Sequence, residues 1–247
     1  MTLKAVLIDA GNTLLYEEPS RFEIYARAAR RRGVDLSTED MTARMREAHR
    51  ELPREIDGAF RYSEAWFASY IRRIFQHGLG LSSDELPGLS EELFSQFRDP
   101  RTFRLFPGAT ELVDGLRRRD LAVGIVSNWS QRLPGILRGL GLDGRIDFVL
   151  CSAIERVEKP DPEIFRRACS RAGAAPQEAL HAGDDARKDV LGARGAGLDS
   201  VRVDHAWGRA RSARGATAPG FAEDPETGAP LVGSLFELAD WIASRAG

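Results

Sequence analysis

The sequence predicts an α/β fold, a doubly wound parallel sheet interrupted early by an all-helical insertion. Three observations carry this. Short apolar runs recur along the chain, each ending in small or polar residues: Ala5–Ile8, Leu121–Val126, Ile146–Leu150, Leu180–Ala182 and Leu198–Val203. Near-continuous runs of this length suit strands buried on both faces. From the second run onward they alternate with amphipathic stretches at Gly108–Arg119, Gln131–Gly139, Pro162–Ala172 and Asp189–Ala196, as right-handed βαβ crossovers require. Finally, the segment between the first two runs has helical periodicity and no evident strand.

The first run predicts the opening strand and ends at Asp9. Residues 16–104 then offer helices at Phe22–Arg32, Thr38–Glu51, Ser63–Phe75 and Ser90–Phe97. They are expected to form a separate cap domain over the strand ends, while residues 1–15 and 105–247 form the core. Between His205 and Pro230 the chain is rich in Gly, Ala, Pro and Arg without periodicity, which predicts a long surface loop. A helix over Ser234–Ser244 closes the chain.

The 247 residues are 43% hydrophobic and 29% charged, enough apolar material for a real core. A net charge of -2 from near-equal acids and bases gives no electrostatic footprint for nucleic acid. No apolar run is long enough for a signal peptide or a membrane span, so a cytoplasmic protein is expected. Cys151 and Cys169 are expected as buried thiols rather than a disulfide. The sequence leaves monomer and homodimer equally open.

Four strand ends carry chemistry. Asp9 ends the first predicted strand and is followed by Gly11 and Thr13. A carboxylate there points into the crevice at the sheet's C-terminal edge, although it also suits a simple turn. Ser127-Asn128 ends the second, where a hydroxyl and a backbone N–H can meet an anionic oxygen; the same pair suits a helix N-cap. Lys159 stands just outside a helix begun by Pro160-Asp161-Pro162, and it is one of only three lysines, with Lys4 and Lys188. Asp184-Asp185 closes the fourth strand and Asp189 follows. Such acids can hold Mg²⁺, which takes one or two carboxylates and completes its shell with water and substrate oxygens. They also suit helix capping, so one of them is expected to be structural.

Gly139-Leu140-Gly141-Leu142-Asp143-Gly144 has the spacing of a dinucleotide-binding loop, but a helix precedes it and a strand follows, the reverse of what that site needs. The cap arginines Arg54, Arg61, Arg72 and Arg73 are balanced by acids, and Trp66, Phe67 and Tyr70 suit helix packing.

Taken in order, Asp9, Ser127, Lys159 and Asp184 resemble the four motifs of the haloacid dehalogenase-like hydrolase superfamily, over nearly the whole chain. The resemblance implies a Rossmann-like core with a helical cap. By the same resemblance Asp9 is nucleophile and metal ligand, Ser127, Asn128 and Lys159 bind the transferring group, and Asp184 completes an Mg²⁺ site. Asp189 acts there through water or by orienting the others, with Asp185 the competing candidate, and the Gly11 carbonyl is a further ligand. The implied activity is a phosphatase acting on a small phosphorylated metabolite.

The pattern departs at one position. Phosphatases of this family carry a second aspartate where this chain has Gly11, and that group protonates the leaving group. Its absence predicts slow or leaving-group-restricted turnover, and introduction of Asp at position 11 is expected to raise alkyl-phosphate hydrolysis. Two alternatives follow, a 2-haloacid dehalogenase, whose halide leaves without protonation, and a catalytically weakened binding or regulatory protein.

Overall fold

The computed structural model describes residues 2–213 and 221–245. The chain begins with β1 (Ala5–Ile8), then β2 (Leu15–Glu17), and enters the helices α1 (Arg21–Arg30) and α2 (Thr38–Glu51). Serines 20 and 37 cap these helices, each accepting a backbone N–H from the first turn. A hairpin of β3 (Glu55–Ile56) and β4 (Ala59–Phe60) follows, then α3 (Glu64–Arg72), a π-helical turn over Arg73–His77, and α4 (Leu86–Arg98).

The chain returns through β5 (Phe103–Leu105), which pairs antiparallel with β2, Leu15 against Leu105 and Glu17 against Phe103. This ribbon ties the exit of the insertion to its return. The remainder alternates: α5 (Ala109–Arg117), β6 (Ala122–Ser127), α6 (Leu133–Gly139), β7 (Phe148–Cys151), α7 (Ser152–Glu155), α8 (Pro162–Ala172) and β8 (Ala179–Gly183). A π-helical stretch over Ala186–Leu191 runs into α9 (Gly192–Gly195) and β9 (Asp199–Val203). Then come α10 (His205–Ala213), β10 (Ala222–Glu223), β11 (Pro230–Val232) and α11 (Leu235–Arg245).

The main sheet has the order β10-β11-β9-β8-β1-β6-β7, parallel except for the β10–β11 pair. The chain winds outward from β1 through β6 and β7, then crosses back to β8 on the other side. The switch point therefore lies beside β1, where ligands bind in open α/β sheets. On one face Val6, Ile8, Val123 and Ile125 pack with Leu112, Leu116 and Ile136, joined by Leu238 and Ile242 of α11. On the other face Leu7, Val126 and Leu150 meet Ile164, Phe165 and Ala168 of α8. The helical insertion has its own core of Ile24, Met41, Trp66, Ile71 and Phe75.

Two expectations need correction. The insertion is not wholly helical, because Asp57 and Gly58 both take positive φ, 48° and 78°, and close the β3–β4 hairpin. Asp-Gly is the sequence signature of that turn, but two-residue strands show no alternation to find. The stretch from His205 to Pro230 is also not one loop. It contains α10 and β10 and ends in β11, with residues 214–220 outside the described part. Both cysteines are buried and unpaired. Among the described residues no helix is long and apolar enough to cross a membrane.

Candidate active site

The sheet register builds the site. Ile8 lies opposite Ile125 of β6 and Ala182 of β8, so the residues just beyond them share one rim. Asp9 follows Ile8, with its N–H donating to the Ala182 carbonyl at 2.9 Å. Ser127 and Asp184 stand one residue further along their own strands. Asp9, Gly11, Ser127, Asn128, Lys159, Asp184, Asp185 and Asp189 all line one open cavity at this rim. The sequence-predicted residues, separated by up to 180 positions, are thus brought together.

Lys159 is the hub. It is 3% exposed, and its Nζ donates to Asp9 Oδ1 at 2.6 Å and to Asp189 Oδ1. The loop carrying it is clamped by Asn128, whose Nδ2 donates to the Lys159 carbonyl at 2.9 Å. The Asn128 Oδ1 in turn accepts the Lys159 N–H at 2.8 Å. Just beyond, Asp161 caps α8 and Pro162 occupies its first turn. Burial disfavours the ammonium, but Asp189 and Asp9 outweigh it, and the Lys159 pKa lies above its usual value.

The acids divide by their partners. Asp189 Oδ1 also meets His181 Nε2 at 2.9 Å, and its Oδ2 accepts the Asp185 N–H at 3.0 Å. Burial works against its charge, but Lys159 and His181 prevail and hold Asp189 below the carboxylate range. Gly183 makes this fold-back possible, because a Cβ there would lie 2.2 Å from Asp189 Cγ. Asp185 accepts the N–H groups of Arg187 and Lys188, so it is the structural capping acid. Asp184 differs from both. Among the described residues its Oδ1 accepts only a long bond from Thr13 Oγ1, 3.4 Å, and burial together with repulsion from Asp9 and Asp189 pushes its pKa up to about 7. Burial foremost, with Asp189 adding to it, also raises Asp9, which Lys159 only partly offsets.

Two carboxylates therefore grip one ammonium and a third stands beside them, with ligand atoms of Asp9, Asp184 and Asp189 within 4.8 Å of one another. Such a set of oxygen donors suits a hard divalent cation. Opposite ligands of Mg²⁺ stand about 4.2 Å apart, twice its ~2.1 Å bond, so little movement would be needed. The excess negative charge that raises Asp184 is the charge that a cation would neutralise.

Other residues here carried no sequence signal. Trp129 covers Gly11, and a Cβ at Gly11 would lie 3.0 Å from Trp129 Cζ3. Arg21 and Tyr62 reach the cavity from the insertion. Arg21 Nη2 is 2.6 Å from Glu17 Oε1. Arg54 and Arg61 do not face this cavity. They pair with buried Glu158, at 2.9 and 3.4 Å, and so bind the insertion to the residue preceding Lys159. His181 lies within β8, and its bond to Asp189 depends on a fold-back that spacing does not disclose. Trp66 and Tyr70 pack in the insertion core as expected, but Phe67 and Tyr70 also line a chamber beneath the insertion.

A central parallel sheet with an aspartate beside its switch point, a lysine bound to that aspartate and acids across from it defines an α/β hydrolase with a carboxylate-centred site. A family model for haloacid dehalogenase-like hydrolases matches residues 3–197, and the chain belongs to this family. It is 30% identical to haloacid dehalogenase-like hydrolase domain-containing protein 3 of Bos taurus, over 82% of each chain. It is 31% identical to a phosphoserine phosphatase of Thermus thermophilus, over 96% of this chain and 98% of that one. In fold it resembles L-2-haloacid dehalogenase from Xanthobacter autotrophicus (TM-score 0.66, 22% identity, 98% and 99% covered).

Proposed function

We propose that the protein is an Mg²⁺-dependent phosphatase of a small phosphorylated metabolite, working through an aspartyl-phosphate on Asp9. The observation that carries this reading is the convergence of Asp9, Asp184 and Asp189, the first and last of them bonded to Lys159. The likeness to a phosphoserine phosphatase supports it. Asp9 and Asp184 would hold the ion, with the Gly11 carbonyl as a further donor, because both oxygens of Asp189 are engaged by protein partners. Bound there, Mg²⁺ supplies positive charge against the equatorial oxygens of the phosphoryl group.

Asp9 attacks phosphorus in line, and the leaving oxygen departs with the bonding electrons. Lys159 offsets charge on an equatorial oxygen while Ser127 donates a hydrogen bond to another. Asp189 and His181 keep Lys159 in place, and Asn128 holds its backbone. Water then attacks the aspartyl-phosphate, releasing inorganic phosphate and regenerating the carboxylate. With Gly11 and Trp129 where a proton donor would stand, substrates with good leaving groups are favoured.

The test is Asp9→Asn, which should abolish Mg²⁺-dependent phosphate release while the protein stays folded; wild-type release would refute the mechanism. The missing acid also suits a 2-haloacid dehalogenase acting in the cytoplasm, but that chemistry needs no metal and leaves the Asp184 repulsion uncompensated. Chloride release from 2-chloropropionate without metal would select it. Failure to bind beryllium trifluoride with Mg²⁺ would select a non-catalytic family member.

A further inference from the structure

Beside the catalytic cavity lies a more enclosed chamber of about 140 Å³ between the helical insertion and the sheet. Arg21, Tyr62, Asn128 and Trp129 line both spaces, so the two adjoin across these side chains. Tyr25, Phe67, Tyr70, Phe94, Phe97 and Phe103 contribute to its walls. A cavity of ~150 Å³ lined by apolar side chains holds a benzene-sized guest. The volume therefore fits one six-membered ring, and aromatic walls offer it edge and face contacts.

The charged groups at this chamber are already matched. Arg21 is paired with Glu17 at 2.6 Å, and Arg132 with Glu64 at 2.6 Å. The Tyr70 hydroxyl donates to the Met45 carbonyl at 2.9 Å. The His49 ring lies 3.2 Å from the Tyr62 hydroxyl, and burial, helped by Arg61, lowers its pKa to about 4, so it is uncharged near neutrality. An amino-acid head group would bring an ammonium and a carboxylate into a space with no free countercharge among the described residues. Burying a charge without a partner is strongly unfavourable. An uncharged ring incurs no such cost.

We propose that the substrate is a phosphomonoester of a phenol-type alcohol, with the phosphoryl group against Asp9 and Lys159 and one uncharged ring in the aromatic chamber. This rests on the phosphoryl-transfer reading above. The Asp9 oxygen forms a bond to phosphorus as the aryl oxygen–phosphorus bond breaks, and the electron pair leaves on the phenolate, which later takes a proton from solvent. A phenol ionises near ~10, as tyrosine does, whereas an alkoxide is comparable to hydroxide, whose parent water ionises near ~15.7. A phenolate can therefore leave without the proton donor that Gly11 does not provide.

The test compares phenyl phosphate, benzyl phosphate, phosphoserine and acetyl phosphate on the full chain with Mg²⁺. Phenyl phosphate should exceed phosphoserine at least ~10-fold in kcat/KM, and benzyl phosphate should bind competitively yet turn over slowly. Phe67→Trp, which fills the chamber, should lower kcat/KM for phenyl phosphate at least ~10-fold more than for acetyl phosphate, which has no ring. Phe94→Trp gives the same comparison should the first variant misfold. A preference for phosphoserine, or equal effects of filling on both substrates, overturns the aryl assignment and leaves phosphoryl transfer standing. No turnover of any of the four by the wild type overturns both.

Discussion

Gly11→Asp tests the missing proton donor, and the structure changes what it should do. General acid help is worth ~10²–10⁴-fold, or about 2.7–5.5 kcal/mol, which alone predicts a large gain on alkyl phosphates. The φ of Gly11 is not in the left-handed region, so backbone strain is no obstacle. Crowding is. The new Cβ would lie 3.0 Å from Trp129 Cζ3, and the carboxylate must fit beyond it. Trp129 is flanked by Phe103, 5.8 Å between ring centroids, and by the Arg21 guanidinium at 6.0 Å, so relief requires it to shift into one of the two cavities that it lines. Overpacking of this kind costs ~1–3 kcal/mol, a large share of the possible gain. The single variant should therefore change alkyl-phosphate turnover less than ~10-fold, whereas Gly11→Asp with Trp129→Leu should raise it ~10²-fold. Acetyl phosphate, whose leaving group needs no proton, should gain little. The assay is phosphate release from propyl and acetyl phosphate with Mg²⁺. A full gain in the single variant would refute the obstruction by Trp129. No gain in the double variant, with acetyl phosphate still hydrolysed, would refute the claim that the absent acid limits the reaction.

Other outcomes follow from the same geometry. With the Asp184 pKa near 7 in the metal-free protein, protons compete with the cation below neutrality, so Mg²⁺ should bind roughly 10-fold more weakly at pH 6 than at pH 8 by titration calorimetry; a pH-independent affinity would count against Asp184 as a ligand. Asn128→Ala removes both bonds to the Lys159 backbone and should cost ~1–3 kcal/mol in denaturant unfolding, with lower kcat; unchanged kcat would deny it a positioning role. His49 is neutral in the fold with a pKa lowered to about 4. Its contribution is present above the unfolded value of ~6.5 and is lost as pH falls toward 4. Discounted for its partial exposure, that is ~1–2 kcal/mol, and His49→Gln should flatten the acid side of the stability curve by this amount.

Much of this molecule was readable in the chain. Ala5–Ile8 and Pro162–Ala172 appear with the bounds their apolar pattern predicts, because buried strands and capped amphipathic helices announce themselves locally. Asp9, Ser127 and Asp184 were legible because a parallel sheet delivers strand ends to one rim; Lys159, expected at a strand end, instead reaches the rim from the loop between α7 and α8. What escaped depends on distant approach. Trp129 reads as an ordinary loop aromatic until the fold lays it over Gly11. Asp185 and Asp189 are equivalent in sequence, and only the absence of a Cβ at Gly183 lets one of them turn back toward Lys159. The β3–β4 hairpin and the helix at His205 were missed because short or weakly patterned elements take their stability from neighbours.

The bonds around Lys159 bear on how the protein responds to alkali. Gripped between two carboxylates and shut off from solvent, the amine behaves as a built-in cation and not as a titrating group. A decline in rate in mildly basic solution would then report on the bound ion or the attacking water, and a kinetic profile should not be read as the ionisation of this side chain.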